Sequence, residues 1–171
     1  MVEDLHMISA IVEDRPGVLF KVTSLIRRRG FNIETITVGG SEKEKISRIT
    51  ITMRGAPRVV EQMVKQLSKI PDMIKIIELT PDEAVYRELA MVKVAAGEPA
   101  RRSDILNYIS IFRARVIDAS TDSLVIEVVG SPTKINAFLD LMKSFGVVEL
   151  ARTGTVALAR GPRSSRGDEG N

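Results

Sequence analysis

The sequence predicts an α+β chain built from two tandem βαββαβ modules. Two observations carry this: short apolar runs with period-two alternation are interleaved with stripes at i, i+3 or i+4, i+7, and that order of elements occurs twice along the 171 residues. A third observation bounds the class. A hydrophobic content of 44% with 27% charged residues is that of a globular chain with a real core.

In the first module, Met7-Ile8-Ser9-Ala10-Ile11-Val12 reads as a strand over about 5–12. Glu13-Asp14-Arg15-Pro16-Gly17 reads as a tight loop, and Val18, Val22, Leu25 and Ile26 as the buried stripe of a helix over about 17–29. Pro16 suits the start of that helix, where a missing N–H costs least. Arg27-Arg28-Arg29 followed by Gly30 is a basic last turn with a glycine stop. Asn32 is expected to open the next strand (about 32–38). Gly39–Lys45 is a polar hairpin loop. Ile49, Ile51 and Met53 alternate with Thr50 and Thr52 in a strand over about 46–54. Pro57 starts a helix with Val60, Met63, Val64 and Leu67 on one face. Met73–Leu79 closes the module, and Thr80-Pro81-Asp82-Glu83-Ala84 reads as a linker.

The second module repeats the order. Leu89–Val94 is a strand, Gly97-Glu98-Pro99 breaks it, and Ile105, Tyr108, Ile109 and Phe112 mark a helix. Val116-Ile117 and Leu124–Val128 are strands. Ser131-Pro132 caps a helix with Ile135, Phe138, Leu139 and Met142 on its buried face. Val147–Leu150 begins a last strand after Gly146. The expected domains are therefore 1–80, 81–160 and a frayed tail over 161–171, which lacks apolar residues. Both modules take the ferredoxin-like arrangement, helices on one face of a four-stranded antiparallel sheet.

Composition excludes several chemistries. With no cysteine there is no disulfide, thiolate zinc site or cysteine nucleophile, and a single histidine, His6, excludes a multi-histidine metal site. His6 is expected at a surface or interface. Glu13 and Glu34 have no nucleophile or activated water placed beside them, so no hydrolase is read from them. A net charge of +3, interspersed with acids, is no nucleic-acid footprint; only Arg27-Arg28-Arg29 hints at one, and it reads as a solvated helix end. No apolar run nears the ~20 residues that span a bilayer, and no export signal is seen, so a cytoplasmic location is expected.

The loop and the helix start carry the candidate site. First-turn N–H groups around Gly17, Val18 and Leu19 lack partners within the helix and lie at the positive end of its dipole, a place for a small carboxylate. Gly17 lets a ligand approach the backbone. Asn32 offers both donor and acceptor groups to an ammonium, so together they could hold a zwitterion.

Asp14-Arg15-Pro16-Gly17-Val18-Leu19 and Arg29-Gly30-Phe31-Asn32-Ile33-Glu34 inside βαββαβ resemble the signature of an ACT domain, an amino-acid-sensing module that works in pairs. Gly30–Val38, Ser47–Ile51, Gln62–Lys69, Arg87–Val94 and Glu149–Gly161 further resemble the small regulatory subunit of acetolactate synthase (acetohydroxyacid synthase), over about residues 5–161. The resemblance implies a chain without catalytic activity of its own. It would dimerise through ACT domains and bind and activate a separate catalytic subunit, which carries thiamine diphosphate, magnesium and FAD. It would confer feedback inhibition by a branched-chain amino acid, usually valine, at the pairing interface. By the same resemblance Asp14, Gly17, Val18, Leu19, Asn32 and Ile33 form the effector site, with no metal and no cofactor in this chain. Many members carry asparagine where this chain has Asp14. The rival reading is a stand-alone ACT sensor acting on another enzyme or a transcription factor.

Overall fold

The computed structural model describes residues 5–161; the expected tail beyond Gly161 lies outside them. The chain divides into two compact units, one of residues up to Tyr86 together with those from Thr155 onward, the other of Arg87–Gly154.

In the first unit the order is β1 (Leu5–Glu13), α1 (Val18–Arg29), β2 (Thr35–Gly40), β3 (Ile46–Arg54), α2 (Pro57–Leu67), β4 (Met73–Leu79). The sheet runs β2-β3-β1-β4, with every neighbouring pair antiparallel. Alternation along β1 separates its two faces. Ile8, Ala10 and Val12 point to the helices and pack with Val18, Val22, Leu25 and Ile26 of α1 and Val60, Met63 and Leu67 of α2. Met7 points the other way and packs with Leu79, Ala84 and Ala157.

That second cluster redraws the expected boundaries at 80/81 and 160/161. β5 (Ala84–Ala95) starts directly after a turn at Pro81–Glu83, which Thr80 and Glu83 hold by a 3.1 Å side-chain hydrogen bond. The first residues of β5 belong to this unit, as does β9 (Val156–Ala159), which pairs with β5. Ala157 is 3% exposed there, and the Arg160 N–H donates to the Glu83 carbonyl at 2.8 Å. The last strand among the described residues thus completes the first unit.

The second unit continues β5 through α3 (Pro99–Phe112), β6 (Arg115–Ala119), β7 (Ser123–Gly130), α4 (Pro132–Lys143) and β8 (Val147–Arg152), in the sheet order β6-β7-β5-β8. Ala90, Val92 and Val94 face Ile105, Ile135, Phe138 and Met142. Ser131 caps α4 by accepting from the Lys134 N–H. Glu88, almost wholly buried, receives two hydrogen bonds from the Arg152 guanidinium, at 2.6 and 2.8 Å, and Arg152 also donates to Asn136 Oδ1 at 2.9 Å. The hydrogen-bonded Glu88 carboxylate raises the guanidinium pKa above its already high ordinary value. So the sequence's expectation of α+β architecture from two βαββαβ modules holds, with one strand more than it indicated.

His6 is not at the surface. It is 6% exposed, and its Nδ1 lies 2.9 Å from Glu78 Oε1 on β4. Glu78 pairs with Ile8 across the ladder, so its side chain shares the helix-facing side with His6.

Candidate functional site

β1 ends at Glu13, and the next four residues turn the chain into α1. Gly17 caps the helix at φ +88°, a left-handed conformation that costs other residues strain. It carries no capping side chain, and no acid stands in the first turn. No residue of the first turn therefore offsets the positive end of the helix dipole. Among the described residues the Gly17 and Leu19 N–H groups donate to no backbone acceptor, whereas the Val18 N–H is taken by the Arg15 carbonyl at 3.3 Å. The expected trio of outward amides is thus a pair. A Cβ at Gly17 would meet nothing within 4 Å, so the cradle opens to solvent.

The loop is held from below. The Glu13 N–H donates to the Asp72 carbonyl at 3.0 Å and the Asp14 N–H to the Lys45 carbonyl at 2.8 Å. Lys21, in the first turn of α1, donates to Asp72 Oδ2 at 2.6 Å. That hydrogen bond holds the Asp72 carboxyl below its ordinary 3.8. Asp72 thus fixes both sides of the turn, a role the sequence did not signal. Arg15 pairs with Glu13 at 3.0 Å, and the Asp14 carboxylate is exposed.

The other predicted residues lie elsewhere. α1 is capped by Gly30, φ +67°, and the Phe31 N–H closes the turn onto the Ile26 carbonyl at 3.2 Å. Asn32 does not open β2. It sits in the connection that follows, because the chain regains ladder bonding only at Glu34, whose N–H donates to the Thr52 carbonyl at 2.8 Å. The Asn32 side chain is exposed, while Ile33 is half-buried against the first core.

The six candidates therefore form two groups. Asp14, Gly17, Val18 and Leu19 stand at the amino end of α1, Asn32 and Ile33 beyond its carboxyl end. Twelve helical residues lie between, roughly 18 Å at 1.5 Å per residue. An α-amino acid, whose carboxylate and ammonium are one carbon apart, cannot reach both groups in one chain.

Among the described residues no cluster of three His, Cys, Asp or Glu side chains could hold a metal, and no helix is long and apolar enough to cross a membrane.

Residues 8–75 match a family model described as the AHAS small subunit-like ACT domain, and residues 87–161 one described as the small subunit of acetolactate synthase. A probable acetolactate synthase small subunit from Methanothermobacter thermautotrophicus is 54% identical over 164 residues, covering 96% of this chain and 98% of that protein. The acetolactate synthase small subunit of Mycolicibacterium smegmatis is 45% identical over 92% of each chain. The crystal structure of the Thermotoga maritima acetolactate synthase small subunit superposes with a TM-score of 0.85 at 38% identity, covering 92% of this chain and 98% of that one. The chain belongs to the acetolactate synthase small-subunit family, the regulatory rather than the catalytic side of that enzyme.

Proposed function

We propose that this chain binds the acetolactate synthase catalytic subunit, raises its activity, and makes it sensitive to a branched-chain amino acid, valine, bound between two copies of the first unit. The observation that carries the reading is the length of α1. It separates a carboxylate cradle at Gly17 and Leu19 from an amide at Asn32, so one small zwitterion can use both only if the second comes from another copy. β2, at the edge of the sheet, is the strand through which two copies would pair. Val38 in it is 45% exposed.

Each residue has a stated part. The Gly17 and Leu19 N–H groups donate to the effector carboxylate, aided by the helix dipole. Asn32 Oδ1 of the second copy accepts from the effector ammonium. Asp14 adds a negative charge on the ammonium side. Val18 and Ile33 pack in or against the core and hold the backbone on which these groups sit. Thiamine diphosphate, magnesium and FAD belong to the catalytic subunit, and the assembly works in the cytoplasm.

Regulation then follows from linkage. Valine shifts the catalytic subunit only by as much as it binds one state of the paired chains better than the other. Calorimetric titration of the full chain with valine, leucine and isoleucine, and an assay of the catalytic subunit with and without this chain, test the reading. Saturable heat with valine, stimulated turnover and its suppression by valine are expected. No heat, together with unaltered turnover, would refute it.

A further inference from the structure

A groove of the first unit lies away from the cradle. It lies between α1 and the end of α2, with a volume of about 730 Å³. Leu25 and Ile70, both nearly buried, form its floor. Phe20, 73% exposed, stands at its rim. Four cations, Lys21, Arg28, Arg29 and Lys69, line it, and no carboxylate is among the lining residues. Arg29 donates to Gln66 Oε1 at 3.0 Å and so ties the two helices together at one end. Lys21 is committed to Asp72. The Arg28 and Lys69 side chains form no ion pair among the described residues.

Phe20, Ser24 and Arg28 follow one another at i, i+4, i+8, a stripe on α1 turned away from the Val18, Val22, Leu25 and Ile26 core face. Its composition departs from that of a solvated helix face. An exposed aromatic ring beside arginine over an apolar floor is what the centre of a protein interface offers, and the surrounding cations form a polar rim of one sign.

We infer that this groove docks an acidic segment of the acetolactate synthase catalytic subunit, one that presents an apolar side chain to Phe20, Leu25 and Ile70 and carboxylates to Arg28 and Lys69. The inference rests on the functional reading above and adds the surface through which the two chains meet. Charge complementarity selects the occupant: two uncommitted cations beside an apolar floor favour an acidic, amphipathic partner over another copy of this basic chain. The groove lies along the same helix that begins at the Gly17 cradle, so a single rigid element touches both the effector and the partner.

The test uses the full chain and the purified catalytic subunit as probe, with binding measured by surface plasmon resonance at low and high salt. Phe20→Ala and the double variant Arg28→Glu/Lys69→Glu are compared with Arg58→Glu, an exposed charge at the other end of α2. Each groove variant is expected to weaken binding by about tenfold or more, with the wild-type affinity falling as salt rises. Arg58→Glu should bind as wild type, and valine titration of the isolated variants should be unchanged. Groove variants that bind the catalytic subunit as tightly as wild type overturn the proposal and leave the functional reading standing. So would a change confined to self-association in sedimentation, which would make a second copy the occupant. Failure of the wild-type chain to bind the catalytic subunit would overturn the functional reading itself.

Discussion

Lys21 Nζ lies 2.6 Å from Asp72 Oδ2, and through this contact the first turn of α1 is moored to the loop before β4. Asp72 also accepts the Glu13 N–H through its own carbonyl. One residue thus holds both flanks of the turn that presents the Gly17 and Leu19 amides. Asp72→Asn should leave the chain folded at neutral pH but loosen the turn and weaken valine binding. The pH dependence has a definite sign. The folded-state carboxyl titrates below its ordinary 3.8, so the contact stabilises the chain above that value and is lost as pH falls through the lowered one. The urea midpoints of wild type and Asp72→Asn should therefore differ at pH 7 and converge in strong acid.

Gly17→Asp sets an anion against the proposed carboxylate cradle. A side chain there meets no neighbour, so the folding cost is the left-handed backbone, about 1–2 kcal/mol. The expected result is a thermal midpoint lowered by a few degrees, with turnover of the reconstituted enzyme insensitive to valine. Retained inhibition would move the carboxylate away from Gly17.

Asn32→Ala should weaken valine by roughly ten- to a hundredfold, the loss of one hydrogen bond to a charged group, about 1.5–3 kcal/mol. The proposed two-copy arrangement makes a sharper prediction when the variants are mixed. In a pair of one Gly17→Asp chain and one Asn32→Ala chain, one of the two sites takes Gly17 from the second chain and Asn32 from the first, and is intact. Mixing equal amounts of the two variants gives heteropairs as about half of all pairs, each with one intact site, and should restore about a quarter of the wild-type tight sites in calorimetry. If all contacts came from one chain, mixing would restore none.

In the second unit, Arg152→Ala strands the buried Glu88 carboxylate and should cost about 3–5 kcal/mol. Arg152→Met combined with Glu88→Gln removes the charge as well and should recover much of that stability. Chemical denaturation of wild type, Arg152→Met, Glu88→Gln and their double variant reads the coupling directly, with Arg152→Ala measured beside them.

Much of this architecture was legible from periodicity. The stripes Val18/Val22/Leu25/Ile26 and Val60/Met63/Leu67 are buried as the spacing required, and β3 and β4 begin and end where alternation placed them. β9 escaped notice because Val156-Ala157-Leu158-Ala159 is four residues long, too short for a period to declare itself. Asn32 does not start the strand, because the αL turn at Gly30 pulls Phe31 back onto Ile26 and leaves Asn32 in the connection. His6 reads from sequence as a lone surface or interface histidine, since its partner Glu78 lies 72 residues away. Asp72 carried no signal either. Its importance comes from a carbonyl and a carboxylate aimed at two separate segments, which only the folded chain brings together.

The strand over Val156–Ala159 gives folding an order in time. On the ribosome, Met7, Leu79 and Ala84 are synthesised long before Ala157, which packs with them. The sheet and its two helices can assemble early, but the apolar strip on their far side stays wet until the last strand emerges. Nascent chains stalled before residue 155 should accordingly be captured by chaperones, and release should coincide with the arrival of that strand.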